Sequence, residues 1–322
     1  MSLQNSLCQV ATIIYGPAAE KCEDACSYSF EKPDLHYAGV FDGCGGLGSK
    51  RYERLNNKTG AFISSQTCAV TFNDEMKKKA STSPVDDAYI SHLKGVFLAT
   101  LKKHEKQYGQ QSGLVGSMVR TLPCTGSMVI VTESRVDAHA LHLDIIQAGD
   151  SRVYIMRPKE GLQQVTQDEL AGDPDALKNL YVSAAMTNVI NIDKDFSLTH
   201  SSFDLKMPFA VLCASDGVFG YVKTPMHFEK IVLDCLETAD TFVGFEKALY
   251  TGVTSITGDD STAVMPFYGW DSFEQLKEDF SKRHRFVSGL CHSIEEDMSD
   301  EMIDSAWEQY KTGYYYWQGA NR

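Results

Sequence analysis

Short apolar runs that end in an acid are the dominant pattern of this chain. Tyr37-Ala38-Gly39-Val40-Phe41 runs into Asp42-Gly43, Leu143 to Gly149 into Asp150-Ser151-Arg152, and Phe209 to Ser215 into Asp216-Gly217. Asp259-Asp260 opens Ser261 to Met265, and Glu23-Asp24 precedes Ala25 to Phe30. Apolar runs of this length, bordered by turn residues, read as buried strands. Acids at strand ends can converge at one edge of a sheet. Such a cluster cannot stay ionised beside a core without cations. Carboxylate oxygens are hard ligands suited to Mg²⁺ or Mn²⁺. The pattern therefore points to a carboxylate-lined divalent-metal site.

The rest of the composition is that of an ordinary soluble globular chain. It has 322 residues, 43% hydrophobic and 23% charged, enough for one large domain or two small ones with a sizeable core. The formal net charge of -13 repels nucleic acid and anionic membrane, so neither is expected as a partner. No apolar stretch has the length of a membrane span, and without a basic segment followed by an apolar one near the first residues a signal peptide is not expected. The nine cysteines are odd in number, scattered and without a CxxC pair. Reduced, mostly buried thiols in a cytoplasmic compartment are the expectation, and a zinc ribbon is not.

Strands are predicted near residues 9–15, 26–30, 37–41, 127–132, 141–148, 152–156, 209–214 and 261–267. Ile90, Leu93, Phe97 and Leu101 have helical spacing, which predicts a long helix over 85–108 within a helical layer. Residues 72–85, with Lys77-Lys78-Lys79 and Ser-Thr-Ser-Pro, read as a solvated loop. The polar stretch 157–208 reads as short helices and a surface flap, and 225–252 as two helices. Beyond Pro266, Ser272 and Gln275 form a capping-box pair. Phe273, Leu276 and Phe280 make one stripe, and Met298, Met302, Ala306 and Tyr310 a second. Residues 269–322 are therefore read as a helical C-terminal extension whose stripes pack on the preceding domain, with partner docking as the lesser alternative.

Gly43 to Gly48 also matches GxGxxG, with Asp74 at the distance of a ribose-binding acid. Asp42 directly before the first glycine would oppose a pyrophosphate, and the neighbouring units do not alternate as strand-helix-strand. Ser49-Lys50 reverses the order a P-loop requires. A dinucleotide-binding oxidoreductase is thus the remote rival.

The ordered set Glu23-Asp24, Ala38 to Gly46, Cys124-Thr125-Gly126-Ser127, Ala148 to Arg152, Ala214 to Gly217 and Gly258 to Thr262 resembles the metal-dependent type 2C protein phosphatase (PPM) family over residues 8–268. No single motif is decisive; their order is. The resemblance implies an α+β, four-layer α-β-β-α sandwich, two antiparallel sheets flanked by helices. It implies a catalytic domain over 1–268 followed by the extension 269–322. By this resemblance Asp42 bridges two Mg²⁺ or Mn²⁺ ions, the Gly43 carbonyl binds one of them, and Asp216 and Asp259 complete the neighbouring shell. Glu23 and Asp24 act directly or through water, and Asp150 matches a residue that helps hold a weak third metal in some members. The implied reaction is hydrolysis of phosphoserine and phosphothreonine on proteins by a hydroxide bridging the two metals, with no covalent phospho-enzyme. The implied partner is a phosphorylated protein, and the expected state is monomeric.

The chain departs from that family at three positions. Ala19 stands where the family places an Arg that grips phosphate, leaving Lys21 as the nearby substrate-binding candidate. Cys44 stands in place of the family His that protonates the leaving alkoxide, and a thiol of pKa ~8.5 is a poorer donor at neutral pH. Gly220 stands where many members carry a further acid. Retention of Asp42, Asp216 and Asp259 favours a slow enzyme; Ala19 and Cys44 favour the alternative, a metal-binding pseudophosphatase that binds a phosphoprotein or partner.

Overall fold

The computed structural model describes residues 3–17, 22–109, 120–182, 184–296 and 299–319. Its apolar runs form two antiparallel five-stranded sheets. The first has the order β1 (Leu7–Tyr15), β12 (Ser261–Tyr268), β11 (Phe209–Ala214), β8 (Arg152–Arg157) and β9 (Gly161–Gln164). The second has the order β10 (Thr199–Lys206), β7 (Ala140–Ala148), β6 (Gly126–Glu133), β3 (His36–Phe41) and β2 (Ala25–Ser29). A two-stranded hairpin, β4 (Arg51–Tyr52) with β5 (Lys58–Thr59), stands apart from both.

The central strands read as continuous apolar runs because both their faces are covered. In β3, Ala38 and Val40 face the first sheet, packing with Val153, Val211 and Val264. Tyr37 and Phe41 point the other way. There they pack with Phe72 of α2 (Gly60–Lys78) and Phe97 of α3 (Asp87–Tyr108). In β11, Val211 and Cys213 face inward. Ala210, Leu212 and Ala214 face the opposite helical layer. That layer holds α5 (Pro225–Thr238), α6 (Phe242–Thr254), α7 (Phe273–Glu296) and α8 (Asp300–Tyr314). Three short helices, α1 (Leu3–Ser6), α4 (Asp216–Phe219) and α9 (Tyr316–Gly319), complete the described α-helices. The result is the expected α-β-β-α sandwich.

Caps set several helix starts. Asp86 accepts from Tyr89 N at 2.9 Å and starts α3, one or two residues from the expected boundary. Thr59 caps α2 by accepting from Phe62 N. At α7, Gln275 N donates to Ser272 Oγ at 3.2 Å, while Gln275 Oε1 accepts from Asp271 N at 3.0 Å. That is the predicted capping box, closed one residue early.

Two readings of the chain are corrected. Residues 72–78 are not loop: α2 continues through them because Phe72 and Met76 are buried against the sheet. Lys77 and Lys78 fall in its last turn, where cations suit the helix dipole. Residues 157–208 hold two edge strands, β9 and β10, and one short 3₁₀ turn at Lys178–Leu180. β10 is mostly polar and half exposed, so pairing with β7 rather than its own pattern makes it a strand. The stripes of the C-terminal helices do pack on the body. Phe273, Leu276, Phe280, Ala306 and Tyr310 share one cluster with β11, β12 and α5. Met302 is partly buried against that cluster, and Met298 lies outside the described residues. All nine cysteines are free and five are buried.

Candidate active site

Strand register brings the acids to one end of the sandwich. Ala25 pairs with Phe41, Val40 with Ser127 and Gly126 with Ala148. The start of β2 and the ends of β3 and β7 therefore share an edge, which places Asp24, Asp42 and Asp150 there. In the other sheet, Ala214 pairs with both Arg152 and Ala263. The end of β11 and the starts of β8 and β12 then share an edge, which places Asp216, Asp259 and Asp260. Hydrogen bonds tie the two edges together. Ser215 Oγ donates to Asp24 Oδ2 at 2.7 Å, Glu23 N donates to Asp260 Oδ2 at 2.5 Å, and Thr125 Oγ1 lies 2.6 Å from Ser151 Oγ.

The carboxylates at this edge repel one another. Burial pushes the Asp24 carboxyl up to about 7, and Asp216 and Asp260 reinforce the shift. Burial, then the charges of Asp216 and Asp168, pushes Asp150 up to about 8. Asp42 is raised well above the carboxylate range by burial, followed by Asp24, Asp216 and Asp150, and is within hydrogen-bonding reach of Asp216. Asp216 is itself raised by burial, while its contact with Asp42 acts in the opposite direction. Asp42, Asp150 and Asp216 are half-buried, so they meet solvent at an opening while the protein surrounds the rest of each side chain. Asp259 is exposed at the rim, close enough to Asp216 and Tyr221 to add to the upward shift that burial gives both.

The Arg152 charge opposes the upward shift at Asp150 and Asp216 without cancelling it. Arg152 lies between Asp150 and the C-terminal helices, but its guanidinium is bidentate to Asp168, with Nε to Oδ1 at 2.8 Å and Nη2 to Oδ2 at 2.5 Å. It stacks 4.2 Å over Phe219. A cavity of about 440 Å³ opens here, lined by Asp150, Arg152, Asp168, Asp216, Phe219 and Tyr221 among others. On the other flank, Thr59 Oγ1 donates to Glu23 Oε1, and Ser65 Oγ donates to the Glu23 carbonyl. Gly43 is wedged there: a Cβ would come within 2.6 Å of the Glu23 carbonyl oxygen and 2.8 Å of Ala61. A Cβ on Gly45 would fall 2.5 Å from Glu23 Oε2. The glycines after Asp42 thus let the turn close on Glu23.

Among the described residues, no three His, Cys, Asp or Glu side chains already stand as a closed metal-ligand set. The donor chemistry nevertheless fits a hard dication. Apart from the Cys44 thiol the convergent side chains offer oxygen, Asp150 Oδ1 is buried without a hydrogen-bond partner, and a cation would compete with protons for the raised carboxyls. A largely water-filled octahedral shell needs few protein ligands.

Of the predicted site residues, Asp24, Asp42, Gly43, Asp150 and Asp216 are brought together, with Glu23 and Asp259 at the margins. Cys44 sits beside Asp42. Burial first, then Asp42, raises its thiol well above the usual range. Ala19 and Lys21 lie outside the described residues. The supporting hydroxyls of Thr59, Ser65 and Ser215, the Asp260 contact to Glu23 N, and the Arg152–Asp168 pair were not singled out from the sequence. Ser215 and Asp260 lie within the quoted motifs, so adjacency was their signal. Thr59, Ser65 and Asp168 carry none.

No family model and no curated protein matches the sequence. Solved structures do match the fold. A bacterial serine phosphatase superposes with a TM-score of 0.59 at 15% identity, over 82% of this chain and 99% of that one. A serine/threonine phosphatase from Staphylococcus aureus gives 0.59 at 14%, over 84% and 98%. A PPM Ser-Thr phosphatase from Mycobacterium smegmatis, in complex with cacodylate, gives 0.51 at 16%, over 81% and 98%. The chain has the fold of these phosphatases.

Proposed function

We propose that this protein is a metal-dependent protein serine/threonine phosphatase. The observation that carries the reading is the convergence of Asp24, Asp42, Asp150 and Asp216 from separate strand ends, on a fold shared with serine/threonine phosphatases. Asp42, the Gly43 carbonyl, Asp216 and Asp259 would hold two Mg²⁺ or Mn²⁺ ions, with Glu23 and Asp24 behind them and Asp150 available to a weaker third. When bound, such cations supply Lewis acidity toward water and toward the phosphoryl oxygens. The chain's own residues orient this set. Ser215 fixes Asp24, Thr59 fixes Glu23, and the glycine turn keeps Asp42 against its neighbours. Residues 1–268 would carry the reaction, and α8 and α9 of the extension buttress the wall that Arg152 and Asp168 form.

Cys44 is the observation that favours a second reading. Its thiol stays protonated at neutral pH and is a weak acid, so delivery of a proton to a departing serine or threonine alkoxide is poor. On that reading the protein holds metal and phosphoprotein with little turnover. Phosphate release from an aryl phosphate and from a phosphothreonine peptide, in Mn²⁺, Mg²⁺ or EDTA, separates the two. Turnover that needs metal supports the enzyme. Metal and peptide binding without release of phosphate from either substrate replaces it with the binding protein.

A further inference from the structure

Glu169 stands outside the acid cluster but holds the turn that carries one of its members. Gly149, just before Asp150, has φ 89°. A Cβ there would fall 2.4 Å from Thr125 Cγ2, so the turn lies tight against Thr125, whose N donates to the Asp42 carbonyl at 2.9 Å. Gly149 N donates to Glu169 Oε2 at 2.7 Å. The Gly149 carbonyl accepts from Glu169 N at 3.1 Å and from Gln147 Nε2 at 2.8 Å. The same Glu169 Oε2 accepts from Asn188 Nδ2 at 2.6 Å. The Glu169 carbonyl accepts from Thr187 N at 2.8 Å and Thr187 Oγ1 at 2.7 Å. Two residues past Asn188, Ile190 exchanges backbone hydrogen bonds with Cys124 at 2.9 and 3.0 Å, and Cys124 bridges Gly43. Glu169 therefore joins the Asp150 turn to a segment that reaches the Asp42-Gly43 turn.

We propose that Glu169 is a positioning residue for Asp150: its Oε2 fixes the Gly149-Asp150 turn, sets the aim of the Asp150 carboxylate and couples that turn to residues 187–190. The inference rests on the proposed function for the cation assigned to Asp150, though not for the turn itself. Asp150 Oδ1 is buried without a hydrogen-bond partner, so the direction of this carboxylate depends on the backbone that carries it. Two donors on one carboxylate oxygen at these distances are short, charge-assisted contacts. They suit a half-buried acid in a neighbourhood already rich in negative charge. Outer contacts that orient a metal-binding side chain change cation affinity by roughly 10–100-fold when removed.

Three variants separate the contact from charge and from packing. Glu169→Gln keeps an oxygen for both donors and loses the charge. Glu169→Asp keeps the charge on a side chain one methylene shorter, and Glu169→Leu loses both. Each full-length protein is titrated with Mn²⁺ by calorimetry, and hydrogen exchange across residues 147–152 is followed in EDTA. The expected result is that E169Q matches the wild type in its weakest Mn²⁺ affinity and in slow exchange at the turn. E169D and E169L should weaken that affinity about ten-fold, leave tighter Mn²⁺ binding unchanged and speed exchange at 147–152 above the rest of the chain. Wild-type Mn²⁺ affinity and exchange in E169L overturn the proposal. So does a loss that E169Q shares, which makes charge the cause, or faster exchange spread evenly over the molecule, which makes Glu169 a packing residue. If the wild-type protein binds no Mn²⁺ at all, the metal-dependent reading fails, and exchange at the turn in E169Q against E169L alone decides the positioning role.

Discussion

Asp42 and Asp216 lie within hydrogen-bonding reach at the floor of the acid cluster, and that contact makes Asp42 the most informative residue to change. An amide cannot offer two anionic oxygens to two cations, so Asp42→Asn is expected to lower metal affinity and to cut turnover by at least ~10²-fold. Titration calorimetry with Mn²⁺ and the phosphate-release assay check this together; two metals bound and full turnover would remove Asp42 from the bridging role. Cys44 tests proton delivery. Cys44→His should raise kcat on a phosphothreonine peptide while leaving an aryl phosphate unaffected, because an aryl oxide leaves without much protonation. Equal gains on both substrates, or none, would make Cys44 a bystander. The identities of these residues were legible because each acid stands at the end of an apolar run. The hydroxyls of Thr59 and Ser65 were not, since a serine or threonine on a helix start looks the same whether it caps, bonds a distant carboxylate or meets water.

The C-terminal helices show what an element can do that its sequence does not announce. Trp307 Nε1 donates to Asp175 Oδ2 at 2.9 Å, Tyr315 OH accepts from Ala176 N at 2.5 Å, and Gln318 Nε2 donates to the Thr166 carbonyl at 2.7 Å. Tyr314 OH reaches Arg152 Nη1 at 3.4 Å, two residues from Asp150. The stretch 165–182, one wall of the acid-lined cavity, is thus held from behind by α8 and α9. Trp307 is buried, and Trp307→Ala should cost ~3–5 kcal/mol in denaturant unfolding. It should also raise hydrogen exchange selectively across 165–182. Unchanged exchange there, with stability lost, would confine α8 to a packing role. The apolar stripes predicted that these helices dock; which loop they grip depended on polar contacts between segments more than a hundred residues apart.

For the whole molecule, the cluster makes a statement about pH. Asp24 and Asp150 have folded-state values raised to about 7 and about 8 from an ordinary 3.8. Between roughly pH 4 and 8 the metal-free folded protein therefore binds more protons than the unfolded chain, and its stability falls as pH rises through that window. His36 acts in the opposite direction. It is fully buried between the sheets' aromatic residues, and burial lowers it to about 4. The fold excludes its proton, so stability is lost as pH falls from about 6.5 to 4. Thermal melts in EDTA should show an optimum in the mildly acidic range. Mn²⁺ should raise Tm strongly at pH 8 and little at pH 5, where protons compete for the carboxylates. Asp42→Asn should raise the EDTA Tm at pH 8. A metal-independent melting profile at pH 8 would remove the cluster as a cation site.

By itself the sequence determined most of the strands and the acids at their ends, while the layered sandwich was implied by the resemblance of its ordered motifs to a known family. A strand buried on both faces must be apolar along its length, and that signal is local. It also carried the docking of the C-terminal stripes through helical spacing. Only the tertiary structure decided that β9 and β10 are strands, since the pairing of a polar edge strand is supplied by its neighbour. It decided that α2 continues through the lysine-rich segment, because Phe72 and Met76 find the sheet. It also set Glu169 against Gly149 while committing Arg152 to Asp168. Which partner a charged side chain takes depends on the turn or strand that folding brings beside it. That choice is not encoded in the spacing of the charged residues themselves.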